Sequence, residues 1–129
     1  PSVDFAVMET ARGGILRAGL GYQRSNVAAC LNVDADHLGL KGIDTLEQLA
    51  EVKRIVIEVA RDTAVLNADD QLCLNMADYT QAEHVCYVTM NPAHALVKEH
   101  IRAGGRAVVK IKPDPKLRTA SQITSSAAI

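Results

Sequence analysis

The chain has no tryptophan, one phenylalanine and three tyrosines, and aromatic residues make up only 3% of its 129 residues. Its core must therefore be built from aliphatic side chains, and a hydrophobic content of 48% is sufficient for one domain of ordinary size. An excess of charge is also missing, because 14 basic and 15 acidic residues leave a formal net charge of −1. This balance gives no support for broad electrostatic binding to nucleic acid or to an anionic membrane.

Long hydrophobic runs are missing too, and none approaches the length that crosses a bilayer. The first residues lack the charged start and the apolar stretch of a signal peptide. The cysteines at positions 30, 73 and 86 are odd in number and form no C-x-x-C pair, which argues against a zinc site or a disulfide framework. We therefore expect a cytoplasmic protein in which Cys30 and Cys86 behave as small hydrophobic residues.

Apolar runs alternate with segments of helical periodicity along the chain. Strands are predicted at residues 3–8, 26–33, 63–66, 84–90 and 106–112. Longer helices are predicted at residues 44–61, 70–78 and 91–103. Continuously apolar strands are typical of a parallel sheet, so the sequence predicts an α/β domain over residues 1–112 with a mostly parallel sheet and helices on both faces. Residues 113–129 are polar and lack periodicity, which predicts a disordered or irregular C-terminal tail.

Lys53 lies at the centre of the apolar face of the helix predicted at residues 44–61, where a charge is unexpected. At 100° per residue it shares this face with Leu46, Leu49, Val56 and Ile57. An unpaired buried ammonium group is costly, so such a lysine is usually paired, neutral or chemically altered. The ordinary alternative is that its stem covers apolar surface while its head reaches water. Asp44 and Glu47 resemble a capping box at the start of this helix.

Polar side chains follow three of the predicted strands. They are Glu9 after the first, Asp36 and His37 after the second, and Asn67, Asp69 and Asp70 after the third. Because ligands bind beyond the carboxyl ends of the strands in open α/β sheets, we expect these residues and Lys53 to converge on one pocket. Carboxylate and imidazole donors suit Mg²⁺ or Mn²⁺. Each residue alone also has a structural explanation, since acids after strands often cap helices, as we expect for Asp70.

Several strings occur together in an order that resembles the Mur ligase family. They are E-T-A-R-G-G-I-L at residues 9–16, N-x-x-x-D-H-L-G at 32–39, I-D-T-L at 43–46, V-K at 52–53 and N-A-D-D at 67–70. The resemblance covers residues 1–112 and implies the central, ATP-binding domain of the family. The first string and D-H-L-G-L are most similar to a branch of the family that makes an amino-acid polymer.

The resemblance implies metal-binding and catalytic residues. Glu9 matches a glutamate that binds Mg²⁺ beside the ATP phosphates, and His37 matches a histidine that ligates a second Mg²⁺. Asp36 precedes this histidine and would orient its loop. Lys53 aligns with a lysine that is carbamylated in several family members, which would convert a cation into an anion able to hold Mg²⁺. Whether Lys53 carries this modification is left open by the sequence.

The resemblance also implies the nucleotide contacts and the reaction. Asn67 matches an asparagine that contacts the adenine ring of ATP, while Asp69 and Asp70 shape the pocket. The implied enzyme activates a carboxylate as an acyl phosphate, which an amine then attacks, with His37 and Lys53 as the catalytic residues. In the most similar branch, arginine is joined to the side-chain carboxylate of aspartate in a polymer. The implied partners are therefore ATP, arginine and a poly-aspartate primer, and a homo-oligomer is left open.

Some features limit this interpretation. The phosphate loop G-x-x-x-x-G-K-[ST] is absent, and both ends of the chain look cut from a longer protein. We therefore expect no ligase activity from this chain alone.

The main alternative is a non-catalytic relative that serves as a structural or interaction module. A metal-dependent hydrolase is disfavoured because the histidines are too few, and no G-x-G-x-x-G follows the first strand to indicate a dinucleotide-binding oxidoreductase.

Overall fold

The computed structural model describes residues 2–35, 38–39, 42–112 and 126–128. The helices are α1 (Arg12–Ala18), α2 (Leu46–Glu58), α3 (Gln71–Asn75) and α4 (Ala95–Arg102), with a 3-10 turn at Met76–Asp78. The strands are β1 (Ser25–Cys30), β2 (Ala60–Asn67), β3 (His84–Thr89), β4 (Arg106–Lys110) and β5 (Ser126–Ala128). They form one sheet in the order β1-β2-β3-β4-β5, in which the first four strands are parallel. The prediction of an α/β domain with a mostly parallel sheet is confirmed.

The register of the sheet brings the carboxyl ends of the first three strands together. Cys30 at the end of β1 lies opposite Leu66 of β2. Asn67, the last residue of β2, lies opposite Val88 of β3. The loops that follow these strands therefore leave the sheet at the same edge, where polar side chains can meet.

The core lies between one face of the sheet and the helices. Side chains alternate across a strand, and on this face Ala28, Ala64, Leu66 and Ala107 are buried. Leu49 and Ile57 of α2, Val97 of α4, and Cys73 and Met76 around α3 are also buried and belong to the same cluster. On the other face Val65 and Val88 are only half-buried, and Val27 is 57% exposed. Within the described part of the chain, full burial is thus found on one face of the sheet, where α2, α3 and α4 contribute to the core, whereas helices were predicted on both faces.

The capping box of the long helix α2 lies one residue later than predicted. Thr45 is the N-cap, and its hydroxyl accepts a hydrogen bond from the backbone N–H of Gln48 at 3.2 Å. The side chain of Gln48 accepts in return from the backbone N–H groups of Thr45 and Asp44. The prediction of an Asp44–Glu47 capping box is therefore wrong, because Thr45 and Gln48 satisfy the free N–H groups instead.

The helix α2 is not long and apolar enough to cross a membrane, nor is any other described helix.

The strand predicted at residues 3–8 is wrong in this chain. The described residues 2–10 form no strand, and Phe5 and Val7 are 92% and 99% exposed. A strand requires a hydrogen-bonded neighbour, and among the described strands β1, at the edge of the sheet, pairs with β2 alone. Apolar composition alone therefore did not produce a strand here.

Residues 126–128 differ from the predicted irregular tail, because they form β5, which pairs antiparallel with β4. The free edge of β4 offers backbone donors and acceptors that a polar segment can use as well as an apolar one. Composition-based reasoning has no access to this pairing, since it depends on the position of a distant edge strand.

Candidate functional site

Lys53 reaches the carboxyl end of β1. Its side chain is half-buried, and its Nζ donates a hydrogen bond to the backbone carbonyl of Asn32 at 3.0 Å. The apolar stem lies along α2 beside Val56, which is also half-buried. The ammonium group is therefore paired with a main-chain oxygen two residues beyond the end of the strand. The sequence did not reveal this partner, because a carbonyl group is common to every residue.

An open cavity of about 1140 Å³ lies between the N-terminal segment and β1. Its walls include Glu9, Asn32 and Lys53. The structure thus brings the first predicted metal ligand and the unusual lysine to one cavity, although Glu9 itself is exposed and lies outside any strand. A carboxylate and an amine that line one cavity can bind both a cation and an anionic group.

Asn67 links the ends of β1 and β2. Its Nδ2 donates to the backbone carbonyl of Leu31 at 2.8 Å, and its Oδ1 accepts from the backbone N–H of Asp69 at 3.0 Å. An amide side chain has two N–H donors and two acceptor sites. After these two bonds, Asn67 retains one donor and one acceptor site that a ligand can use.

Asp69 fastens the loop after β2 to the end of β3. Its Oδ1 accepts from the hydroxyl of Thr89 at 2.5 Å, and its Oδ2 accepts from the backbone N–H of Met90 at 2.6 Å. Thr89 is 4% exposed and also accepts from the backbone N–H of Asn91 at 3.0 Å. Both oxygens of the carboxylate are thus engaged within the protein. Sequence reasoning missed Thr89, although a hydroxyl that closes an apolar strand beside Asn67 is a usable signal.

We expect Thr89→Val to lower the free energy of unfolding by about 1–3 kcal/mol. The change keeps the shape of the side chain but leaves the Asp69 carboxylate and the Asn91 N–H without their hydroxyl partner. Urea denaturation followed by circular dichroism measures the difference. Thr63→Val is the matched control, because Thr63 is half-buried on β2 and makes no side-chain hydrogen bond within the described residues. Equal losses in the two variants would contradict a role for the Thr89 hydroxyl.

Asp70 is the N-cap of α3, as predicted. Its Oδ1 accepts from the backbone N–H groups of Leu72 and Cys73 at 2.9 and 3.1 Å. Its Oδ2 accepts from the backbone N–H of Val33 at 2.7 Å, which connects the helix to the segment after β1. This carboxylate therefore positions two loops.

His94 supports the same loop and is the N-cap of α4, which begins at Ala95 and not at the predicted residue 91. Its Nδ1 accepts from the backbone N–H of Val97 at 3.4 Å, so Nε2 carries the proton that is donated to the carbonyl of Ala68 at 3.0 Å. No sequence pattern indicates this role for His94. Its role depends on the packing of α4 beside the loop after β2, which sequence spacing does not reveal.

The metal-binding part of the predicted site is only partly described. His37 and Asp36 lie outside the described residues. Within the residues that the structure describes, no group of three or more His, Cys, Asp or Glu side chains could hold a metal ion. Glu9 offers one carboxylate, and Lys53 adds a ligand only if it is carbamylated. Mg²⁺ is commonly bound through one or two carboxylates together with substrate phosphates, so this sparse donor set fits Mg²⁺ that arrives with a nucleotide.

Comparison with known proteins identifies similar sequences along the chain. The model of the Mur ligase middle domain matches residues 1–120. Cyanophycin synthetases from Trichormus variabilis and Synechocystis sp. are each 53% identical to the chain over 111 residues, and one from Nostoc sp. is 52% identical. These matches cover 84% of the chain, which spans only 12 to 13% of the length of these curated relatives.

Proposed function

The chain belongs to the Mur ligase middle-domain family, and from this premise we propose that it supplies part of the nucleotide site of an ATP-dependent amide ligase. The observation that carries the proposal is the junction of β1 and β2. Lys53 reaches the carbonyl of Asn32 there, and Asn67 reaches the carbonyl of Leu31. Side chains from a helix and a neighbouring strand thus bind successive carbonyl groups beyond the carboxyl end of β1, at the sheet edge where α/β proteins bind ligands. Of these two side chains, only that of Lys53 belongs to a residue that lines the cavity with Glu9.

The proposed reaction joins arginine to an aspartate side chain of a poly-aspartate primer. The γ-phosphoryl group of ATP is transferred to the carboxylate, and ADP leaves. The α-amine of arginine then attacks the acyl phosphate, and phosphate leaves as the amide bond forms. Support comes from E-T-A-R-G-G-I-L and D-H-L-G-L, and from the similarity to proteins named cyanophycin synthetase. We expect the 129-residue chain to have no ligase activity alone, because it contains no G-x-x-x-x-G-K-[ST] loop.

The proposed roles divide between the two strand ends. Glu9 and His37 would hold Mg²⁺, and Lys53 would act either as an ammonium group beside the phosphates or, if carbamylated, as a further Mg²⁺ ligand. When bound, Mg²⁺ neutralises charge on the transferring phosphoryl group. Asn67 would contact adenine through the one N–H donor and the one acceptor site that are not used in its hydrogen bonds to Leu31 and Asp69. Asp69 would position this amide through its backbone N–H, which binds the Asn67 side chain.

Asp70 contributes to the proposed nucleotide site by holding the loop at residues 67–70 against the segment after β1, through its bond to Val33. The compartment that we propose for the protein is the cytoplasm, in line with cysteines 30, 73 and 86, which are all free thiols.

Titration of the ¹⁵N-labelled chain with Mg–ATP tests the nucleotide site. We expect the amide resonances of residues 67–70 to shift at millimolar ligand, and those of the exposed side of α4 to remain unchanged. Asn67→Ala should weaken the response about 10-fold or more, because it removes the proposed adenine contact. Asn26→Ala is the matched control, since Asn26 also connects β1 to β2, through Asp62 at 2.9 Å, but lies near the opposite end of β1.

The alternative function is a structural or interaction module without catalysis. One observation favours it: the carboxylates of Asp69 and Asp70 are fully engaged in bonds that hold the fold. The same titration separates the two functions. A chain that remains silent at millimolar Mg–ATP while its spectrum shows a folded protein would contradict the nucleotide site and support the module.

A further inference from the structure

Two cysteines from distant parts of the sequence meet in the core. Cys30 ends β1 and Cys73 lies in α3, and their Sγ atoms are 3.6 Å apart although 43 positions separate them in the chain. Both are buried, Cys30 at 7% exposure and Cys73 at 0%. Cys86 lies on β3 and is half-buried apart from this pair. Two thiols in van der Waals contact require only a short further approach to reach the S–S bond length of about 2.05 Å.

The two thiols differ in reactivity. Cys73 donates a hydrogen bond to the sulfur of Cys30, which lowers the pKa of Cys30, and the positive charge of Lys53 acts in the same direction against the effect of burial. The pKa of Cys73 is raised by this bond to Cys30 and by its own burial. Cys30 is therefore the thiol with the lower pKa of the two, and the thiolate is the nucleophile in disulfide exchange.

The two cysteines differ in their position relative to the cavity within the described part of the chain. Cys30 is among the residues that line the cavity between the N-terminal segment and β1, together with Lys53. Cys73 does not line this cavity and is fully buried behind Cys30. This arrangement favours attack by Cys30 on an oxidant in the cavity and resolution by Cys73 from the core.

We propose that Cys30 and Cys73 form a redox-active pair that closes to a disulfide when a small-molecule disulfide such as oxidised glutathione enters the cavity. The Cys30 thiolate attacks one sulfur of the oxidant, forms a mixed disulfide and releases one glutathione thiolate. Cys73 then loses its proton and attacks the Cys30 sulfur, and the second glutathione thiolate leaves. The two protein thiols lose two electrons and two protons in total, and oxidised glutathione is reduced to two thiols. The proposal stands on this geometry and does not depend on nucleotide binding.

The disulfide would join the end of β1 to α3. Because Asp70 caps α3 and also binds Val33, the cross-link would reinforce a connection that the reduced protein makes only by hydrogen bonds. It would also close a long loop in the unfolded chain, which reduces the entropy of the unfolded state. The oxidised protein should therefore unfold at a higher temperature than the reduced protein.

The test is oxidation of the 129-residue chain with oxidised glutathione. We expect the number of free thiols counted in denaturant to fall from three to one. The mass of the chain should decrease by about 2 Da, with no glutathione attached to the protein, and its Tm should rise by about 5 °C or more. Dithiothreitol should reverse each change. Digestion with trypsin and a glutamate-specific protease should release a Cys30 peptide linked to a Cys73 peptide, because Glu83 separates Cys73 from Cys86.

Two variants sharpen the result. Cys86→Ala should still lose two thiols, since Cys86 takes no part in the pair. Cys73→Ala should stop at a mixed disulfide between Cys30 and glutathione, which adds mass. Three free thiols after oxidation of the wild-type chain, glutathione adducts alone, or a link that includes Cys86 would each overturn the proposal, and these wild-type measurements stand even if a variant fails to fold.

Discussion

Lys53→Ala in the intact protein is expected to reduce ATP-dependent ligation about 100-fold or more. Lys53 is held at the carbonyl of Asn32 on the wall of a cavity that also contains Glu9. In the proposed site, this group stabilises negative charge that develops during phosphoryl transfer, either directly as an ammonium group or as a carbamate that holds Mg²⁺. Removing one such preorganised group typically costs a factor of about 10² to 10³ in turnover. Steady-state release of phosphate in the presence of the primer and arginine measures the effect.

Control variants test whether the effect is specific to Lys53 and whether Lys53 acts as an ammonium group or as a carbamate. Lys98→Ala changes an exposed lysine of α4 and should leave turnover unchanged. Lys53→Arg keeps a positive charge but removes the primary amine that carbamylation requires. Activity retained by the arginine variant and lost by the alanine variant would favour the ammonium form, whereas loss in both would favour the carbamate. Near-normal turnover of Lys53→Ala would contradict the proposed role and leave a lysine whose stem covers apolar surface.

Asp70→Ala is expected to lower the free energy of unfolding by about 2–4 kcal/mol. Loss of an N-cap typically costs about 0.5–2 kcal/mol. The Val33 bond adds to this, because Val33 is 7% exposed and its N–H would lose a charged acceptor at 2.7 Å. Urea denaturation of the 129-residue chain, with the slope checked for constancy between variants, gives the value.

Two further substitutions show whether the stability loss of Asp70→Ala comes from the hydrogen bonds of its carboxylate. Asp70→Asn keeps one oxygen to cap α3 but presents an N–H group where Val33 needs an acceptor, so we expect an intermediate loss. Asp78→Ala removes an exposed carboxylate after α3 and should change stability by less than about 0.5 kcal/mol. A loss at Asp70→Ala no greater than that of Asp78→Ala would mean that the carboxylate does not hold the two loops together.

Local patterns in the sequence predicted most of the secondary structure. The strand predicted at residues 84–90 is found as His84–Thr89, and the helix predicted at residues 44–61 is found as Leu46–Glu58. Such elements can be recognised in the sequence because a buried parallel strand is continuously apolar and a packed helix has one apolar side. The strand predicted at residues 3–8 is not found, because the described residues 2–10 make no ladder with the free edge of β1, and apolar composition alone does not create this pairing.

The edge of the sheet that carries the proposed site residues was also predictable, although Asn67, Asp69 and Asp70 do not line the cavity of Glu9 and Lys53, as the expected single pocket would require. Asn67, Asp69 and Asp70 follow β2, and Lys53 reaches the segment that follows β1. The rule that parallel strands present their carboxyl ends on one side was enough for this expectation. The partners of these side chains were not predictable, because several are main-chain carbonyl and N–H groups that no residue type identifies.

The sequence by itself determined the fold class and which residues are proposed to bear the chemistry, because hydrophobic periodicity and residue identity are properties of short segments. Only the tertiary structure decided that Lys53 binds the carbonyl of Asn32, that Thr89 binds Asp69, and that Cys30 touches Cys73 across 43 positions. These contacts depend on how parallel strands align and how helices pack on them. Strand register and helix packing arise from the whole chain and not from any one segment.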